Sequence, residues 1–333
     1  LAAARRRGAS DLHLAPGVPP VLRVNGALVR DDAPPLGAAD VEALAAQLVD
    51  PDQRAHFLRC GDLDACREFG GLRYRLNLAR TRAGCSVSVR LISERIPSLA
   101  ELGIPPEAEE LTKFAQGLVL ITGPLGAGKT TTLFALVDRV NRSRPENIIT
   151  IEDPVEFVLP PRRCQVAQRQ RGRDTVGFGA ALRGALREDP DIIVIGDLRD
   201  HETAGLAISA AETGHLVFAS MATVNAMKTI DKLIDLFPAS EQATTRTMLS
   251  ESLRGILCQR LLPGTEGRRV AAVELVFNSI AVANIIREGN TAALLNAIQT
   301  GRSQGMRSFE TSLQELLARG AITPETAAWA RSA

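Results

Sequence analysis

The sequence predicts an α/β protein in which a smaller α+β domain precedes a larger domain with a mostly parallel sheet. Three observations predict this fold class. Short runs of alternating apolar residues occupy the first 95 residues and are typical of strands. From residue 113 onward, apolar strands alternate with helical segments, as in parallel sheets with covered faces. The length of 333 residues allows two domains that each bury a core.

The first domain is assigned to residues 1–95. A hairpin is predicted at 21–30, because two strand-like runs flank Asn25-Gly26, a favoured two-residue turn. Alternation of apolar residues predicts further strands at 72–78 and 86–91. Together these elements indicate a small α+β domain.

Residues 96–112 are rich in Pro and Leu, so we expect a stiff linker before the second domain at 113–333. Four strands are predicted in that domain, at 118–122, 148–151, 192–195 and 216–219. The remainder, from about residue 240, is predicted to be helical, with Leu249, Leu253 and Ile256 on one face.

A glycine-rich turn follows the first of these strands and leads into a predicted helix. Such a turn wraps a phosphate with backbone N–H groups, and the helix adds its positive end. In this pattern Lys129 neutralises the β- and γ-phosphates, and the Thr130 hydroxyl ligates Mg²⁺. The nucleotide-binding candidates are Gly123, Gly126, Ala127, Gly128, Lys129, Thr130 and Thr131.

Carboxylates follow two other predicted strands. Glu152 ends the strand at 148–151, where a carboxylate can deprotonate an attacking water; a solvated acidic turn is the alternative interpretation. Asp197 follows the strand at 192–195, where a carboxylate can hold Mg²⁺ through water. His215 opens the next strand, although a lone histidine is more often structural than catalytic.

The composition excludes several functional classes. A net charge of +1 gives no bulk attraction to nucleic acid or anionic lipid, and no apolar run reaches the length of a membrane span. The five cysteines form no CxxC pair, which argues against a structural zinc site and favours a reduced, cytoplasmic chain.

Four segments resemble the motifs of PilT-like type IV pilus retraction ATPases, which belong to the type II/IV secretion ATPase superfamily. Their order and spacing match those of the Walker A, Asp box, Walker B and His box motifs. They are residues 123–131, 150–157, 186–200 and 211–216. Residues 8–14, 249–253 and 297–301 are also similar to this family, so the resemblance covers nearly the whole chain.

The resemblance implies a PAS-like N-terminal domain on a RecA-like ATPase domain, assembled as a hexameric ring that hydrolyses ATP with Mg²⁺. It implies that Glu152 is the catalytic base and that His215 lies near the nucleotide. Arg75 matches an N-domain arginine that reaches the phosphates across a domain or subunit boundary, and Arg90 is a second candidate. The implied location is the cytoplasmic face of the inner membrane, where a platform protein of the pilus would be the partner and nucleic acid would not.

The chain departs from the family pattern at three positions. Asp197 replaces the Walker B glutamate, Ala222 replaces a second histidine, and Ala283 replaces an arginine. The first hypothesis is therefore an ATP-hydrolysing hexameric motor for pilus retraction in twitching motility. The alternative is a catalytically weakened nucleotide-binding subunit that works in a ring with an active paralogue.

Two further alternatives have less support in the sequence. An assembly or secretion ATPase of the same superfamily usually carries a tetracysteine insertion, but the segment 259–269 is short and has no cysteine pair. A DNA-translocating ring would need more basic and aromatic surface than this chain offers, with one Tyr and one Trp.

Overall fold

The computed structural model describes residues 1–69, 72–92 and 95–332. It divides into two compact units. One comprises Leu1–Arg95 with Pro154–Val158, and the other comprises Ile96–Asp153 with Leu159–Ala333.

The first unit is built on an antiparallel sheet with the spatial order β3-β2-β1-β6-β5-β4. Its strands are β1 (Ala9–Leu14), β2 (Val21–Val24), β3 (Ala27–Arg30), β4 (Asp62–Phe69), β5 (Leu72–Thr81) and β6 (Gly84–Leu91). Its helices are α1 (Ala2–Arg6), α2 (Ala38–Leu48) and α3 (Pro51–Cys60). The predicted hairpin is confirmed: Asn25 and Gly26 both have positive φ, at 49° and 90°, as a type I′ turn requires.

The second unit contains a sheet with the order β13-β12-β7-β11-β10-β8-β9, in which only the β12–β13 pair is antiparallel. Its strands are β7 (Gly117–Thr122), β8 (Asn147–Glu152), β9 (Gln165–Gln170), β10 (Ile192–Ile195), β11 (Leu216–Met221), β12 (Leu253–Pro263) and β13 (Arg269–Phe277). Its α-helices are α4 (Lys129–Ser143), α5 (Phe178–Ala185), α6 (His201–Glu212), α7 (Ala226–Asp235), α8 (Ala239–Ser252), α9 (Ile280–Glu288), α10 (Leu294–Thr300), α11 (Phe309–Ala318) and α12 (Pro324–Ser332). Short 3₁₀ helices lie at Pro106–Thr112, Thr291–Ala293 and Gly301–Gln304.

Both faces of this sheet are covered, which is why its central strands are continuously apolar. Along β7, Leu118 and Leu120 pack into one core cluster, while Val119 and Ile121 pack into the other. The predicted α/β class with a mostly parallel sheet is therefore confirmed. None of the described helices is long and apolar enough to span a bilayer.

Two local expectations differ from the structure. Residues 96–112, predicted to be a linker, belong to the second unit and bury apolar side chains in its core, namely Leu99, Ile104, Ala108 and Leu111. The segment after residue 252, predicted to be helical, forms the strands β12 and β13. Leu253 and Ile256 are buried in a strand that is covered on both faces, and periodicity alone does not separate such a strand from a buried helix.

Candidate nucleotide-binding site

The predicted phosphate loop joins the end of β7 to the start of α4, at the carboxyl edge of the parallel sheet. Gly126 and Gly128 have φ of 76° and 83°, so both use the left-handed conformation that favours glycine. At Gly123 a Cβ atom would lie 2.3 Å from the carbonyl oxygen of Gln259 on β12. The backbone therefore approaches its neighbours too closely for any side chain at that position.

Lys129 is the first residue of α4, and its ammonium group folds back onto the loop. Its Nζ donates to the carbonyl oxygens of Gly123 and Pro124, each at 3.0 Å. Burial lowers the pKa of Lys129, while the carboxylate of Asp197 raises it and the ammonium of Lys232 lowers it. The lysine can exchange its two carbonyl acceptors for phosphate oxygens, which are stronger partners for a cation.

Glu152 ends β8 and is only 2% exposed. Its Oε1 accepts hydrogen bonds from Thr150 Oγ1 at 2.7 Å and from Gln168 Nε2 at 2.9 Å. A Cβ atom on Gly196, after β10, would lie 3.3 Å from the Glu152 Cα, so these two strand ends are in close contact. The hydrogen bonds from Thr150 and Gln168 thus hold the carboxylate in one orientation.

Glu152 is not on the strand next to the loop, because β11 and β10 lie between β7 and β8. At a strand spacing of about 4.8 Å, the ends of β7 and β8 are about 14 Å apart across the sheet. Glu152 can therefore act as the base only if the terminal phosphate and the attacking water lie beyond the loop, over β11 in the direction of β8.

Thr130 and Asp197 are the predicted Mg²⁺ ligands. A hydroxyl and a carboxylate are oxygen donors of the kind that Mg²⁺ prefers. Asp197 is 42% exposed in its side chain and lies 3.6 Å from Arg199 Nε, so its carboxylate remains open to solvent. Within the described ranges, no group of three or more His, Cys, Asp or Glu could hold a metal by itself. The residues therefore fit an Mg²⁺ ion that takes its remaining ligands from phosphates and water.

The structure contradicts the predicted position of His215. This residue precedes β11, and its carbonyl accepts from the Gly117 N–H at the amino end of β7. Six strand residues, or about 20 Å, separate it from the carboxyl edge. Its Nδ1 lies 3.0 Å from the carbonyl oxygen of Ala210, and this contact connects α6 to the start of β11. His215 therefore cannot reach a nucleotide bound by the loop of its own chain.

Ala222, in contrast, follows β11 at the carboxyl edge, where β11 pairs with β7 through Met221 and Thr122. The carbonyl of Ala222 accepts from Lys232 Nζ on α7 at 3.2 Å. Lys232 was not predicted as a site residue, although it is one of only four lysines in the chain. The scarcity of lysine was the signal in the sequence that could have identified Lys232. Only the fold, however, shows that α7 lies at the carboxyl edge of the sheet.

Arg75 and Arg90 lie on neighbouring strands of the first unit, directly opposite one another in the β5–β6 register. Arg75 pairs with Asp64, with its Nε 3.0 Å from Asp64 Oδ1. Arg90 Nε lies 2.8 Å from the Oδ1 of Asp11. The sheet thus presents two adjacent guanidinium groups, each held by a carboxylate of its own unit.

Comparison with known proteins agrees with this architecture. The family model described as Type II/IV secretion system protein matches residues 69–303. The chain is 45% identical over 98% of its length, and 95% of the relative's, to the "Type IV pilus retractation ATPase PilT" of Pseudomonas aeruginosa. It is 34% identical, over 96% of its length and 85% of the relative's, to the "Type IV pilus ATPase PilU" of the same species.

Solved structures give the same result. The chain matches the crystal structure of the pilus retraction motor PilT with bound ADP, with a TM-score of 0.89, 39% identity, and coverage of 99% of this chain and 95% of that one. The ATPase DotB of Legionella pneumophila matches with a TM-score of 0.87 and 26% identity, covering 99% of this chain and 93% of that one. The phosphate loop, the carboxylates at the strand ends, the family match and the relatives all agree. The chain therefore belongs to the Type II/IV secretion system protein family.

Proposed function

We propose that the chain is an ATP-hydrolysing motor for type IV pilus retraction, the activity that drives twitching motility. One observation carries the ATPase part of this proposal: the tight glycine turn places Lys129 at the head of α4, on the same sheet edge as Asp197 and Glu152. The similarity over 98% of the chain to a protein named as a pilus retraction ATPase supports the motor part.

Each residue has a separate task in this proposal. The loop N–H groups and Lys129 bind the phosphates of ATP. Thr130 and Asp197 hold Mg²⁺, which neutralises charge on the β- and γ-phosphates. Glu152 orients and deprotonates the attacking water, and the hydrogen bonds from Thr150 and Gln168 keep it aimed. His215 has no part in the reaction at its own chain's nucleotide.

The motor acts as a hexameric ring on the cytoplasmic side of the inner membrane, with a pilus platform protein as its partner. In the ring, Arg75, and Arg90 beside it, supply positive charge to a nucleotide from outside the ATPase domain. Such a contact reports the γ-phosphate to a second domain and so converts hydrolysis into movement. Light scattering with and without ATP would check this, because a monomer under both conditions contradicts a ring of identical chains.

The second candidate is a catalytically weakened subunit of a mixed ring. It is favoured by Asp197, one methylene shorter than the family's glutamate, and by Ala222, which puts a methyl group at the carboxyl edge. The 45% identity to a protein named as a pilus retraction ATPase favours the first candidate.

The test is phosphate release by the purified chain with ATP and Mg²⁺. Lys129→Ala should abolish it, because the phosphates lose their point charge. Lys113→Ala is the matched control, since Lys113 is an exposed lysine that pairs with Glu110 away from the loop. Restored twitching in a strain that lacks its own retraction ATPase would then establish the motor function. Equal rates in the Lys129 variant and wild type would refute the assignment.

A further inference from the structure

We infer that Arg73 is a positioning residue for the proposed reaction: it holds the segment that follows Glu152 and so keeps that carboxylate in place for the attacking water. This inference rests on the proposed function. Arg73 lies on β5 of the first unit, and its Nη2 donates to the carbonyl oxygen of Val155 at 2.8 Å. Val155 follows Glu152, the proposed base, by three residues.

The segment 154–158 belongs to a different unit from the strand that precedes it. Glu152 ends β8 in the second unit, whereas Pro154–Val158 is part of the first. The chain returns to the second unit at Leu159. The backbone therefore enters the first unit almost directly after the proposed base, and residues of the first unit fix where this segment lies.

The apolar side chains of this segment are buried. Val155 is 7% exposed and Phe157 is 5% exposed. A backbone carbonyl in such a place requires a hydrogen-bond donor, and the Arg73 guanidinium supplies it. Because the donor is charged, the bond is stronger than one between two neutral groups. The segment is thus held at a defined position.

The charges around Cys66 on β4 agree with this placement. Burial raises the pKa of the Cys66 thiol, the guanidinium of Arg73 lowers it, and the carboxylate of Glu156 raises it. Arg73 and Glu156 therefore both lie close to one half-buried side chain of the first unit. The residue after Val155 is thus brought to the same part of this sheet as Arg73.

The link between Val155 and the base is short and stiff. Three residues span at most about 10 Å. The ring of Pro154 fixes its own φ and restricts the backbone of Asp153 to extended conformations. Release of Val155 is therefore transmitted to the backbone of Glu152, because the intervening residues have little freedom to absorb it.

The base is then held from two sides of its position in the chain. Thr150 and Gln168 donate to its Oε1, and Arg73 fixes the backbone that follows it. A general base must lie within hydrogen-bond reach of its water, and a misplacement of about 1 Å can cost about 10²-fold in rate. Arg73 contacts neither water nor phosphate in this arrangement, so its effect on catalysis passes through Glu152.

The test is phosphate release by the full chain with ATP and Mg²⁺. Arg73→Ala should lower kcat about ten- to a hundredfold and leave KM for ATP within about twofold, because the phosphate loop is untouched. Arg73→Lys retains a cationic donor and should recover most of kcat. Arg80→Ala is the matched control: Arg80 lies on the same strand, and its Nη2 also donates to a backbone carbonyl, that of Leu58, at 2.7 Å.

The same substitution in a chain without the base separates positioning from a general structural role. In Glu152→Gln there is no base for Arg73 to position, so adding Arg73→Ala should leave kcat within about twofold of Glu152→Gln alone. Loss of folding or of assembly would instead lower the rate by the same factor in both backgrounds. Single-turnover measurements resolve the slow rates of these variants.

A wild-type kcat in Arg73→Ala would overturn the inference, and so would an undiminished effect of Arg73→Ala in the Glu152→Gln chain. Unchanged kcat in Glu152→Gln alone would also overturn it, because the base would then lie elsewhere. If Arg73→Ala is unfolded, Pro154→Ala, which loosens the link to the base, decides by the same comparison of backgrounds. A wild-type chain that hydrolyses no ATP refutes the proposed function, whereas a hydrolysing chain without this dependence on Arg73 refutes only the positioning role.

Discussion

The hydroxyl of Thr229 on α7 lies 3.3 Å from the hydroxyl of Thr122, the last residue of β7 before the phosphate loop. Both residues are fully buried. Thr229 is also 2.6 Å from Thr223, and Thr122 donates to the Cys258 thiol at 2.8 Å. A small polar network thus connects the base of the loop to α7, the helix that carries Lys232.

Replacing Thr229 with Val should therefore disturb the loop without changing any residue in it. The substitution keeps the shape but removes the hydroxyl that contacts Thr223 and Thr122, at a cost of about 1–3 kcal/mol in the free energy of unfolding. Affinity for ATP should fall several-fold, because the start of the loop loses its anchor. Denaturant unfolding and a nucleotide titration measure the two effects. Thr229→Ser is the control that retains the hydroxyl; equal effects in both variants would point to the lost methyl instead.

Glu152→Gln should act on turnover rather than on binding. The amide has nearly the same shape as the carboxylate and can still accept the hydrogen bonds from Thr150 and Gln168. It cannot take a proton from water, so kcat should fall about 10²–10⁴-fold while ATP affinity is kept. Rapid-quench measurement of phosphate release and an equilibrium titration check this. Glu156→Gln is the matched control, and a loss of kcat only in that variant would move the base to Glu156.

The loop was predictable from sequence because its chemistry is local. The run from Gly123 to Thr131 contains its glycines, its lysine and its helix start within nine consecutive residues. His215 was misplaced because the family resemblance assigned it to the nucleotide, although a residue that opens a parallel strand lies at the opposite end of the sheet from a loop that follows one. Lys232 lies near the loop only through the packing of α7. Strand β12 was mistaken for a helix because its two buried faces remove the period-two signal.

Glu274 on β13 should make stability depend on pH. It is 6% exposed, and its Oε1 accepts the Ala226 N–H at the start of α7 at 2.7 Å. Burial raises the pKa of Glu274. The backbone hydrogen bond from Ala226, the charge of Arg260 and the backbone hydrogen bond from Phe309 lower the pKa, but by less. The native state then keeps a proton that the unfolded state releases, so stability falls as pH rises from the ordinary carboxyl pKa, about 4.3, to the raised one.

Glu274→Gln removes this dependence, so the melting temperature of the variant should gain on wild type across that pH window. Glu310→Gln is a control of opposite sign. The guanidinium of Arg331, 2.9 Å from Glu310, lowers the pKa of that carboxyl, so its contribution is lost as pH falls. The Glu310 variant should therefore lose stability relative to wild type as pH rises. Parallel melting curves for the two variants would contradict the argument.

The last prediction concerns the two substituted positions at the site. Asp197 follows β10 and Ala222 follows β11, the strand between β10 and β7. Asp197→Glu would lengthen the carboxylate toward metal-bound water. Ala222→His would add a polar ring at the edge where Lys232 already binds the residue's carbonyl.

If these substitutions weaken catalysis, the double variant should hydrolyse ATP faster than wild type. A tenfold gain corresponds to about 1.4 kcal/mol off the barrier, and we expect a gain of that order or less, since Lys232 and Arg199 are already arranged around the present pair. Phosphate release at saturating ATP and Mg²⁺ should be compared for wild type, both single variants and the double variant. A wild-type chain that already turns over rapidly, with a slower double variant, would eliminate the weakened-subunit alternative, because Asp197 and Ala222 would then be the better pair for this site.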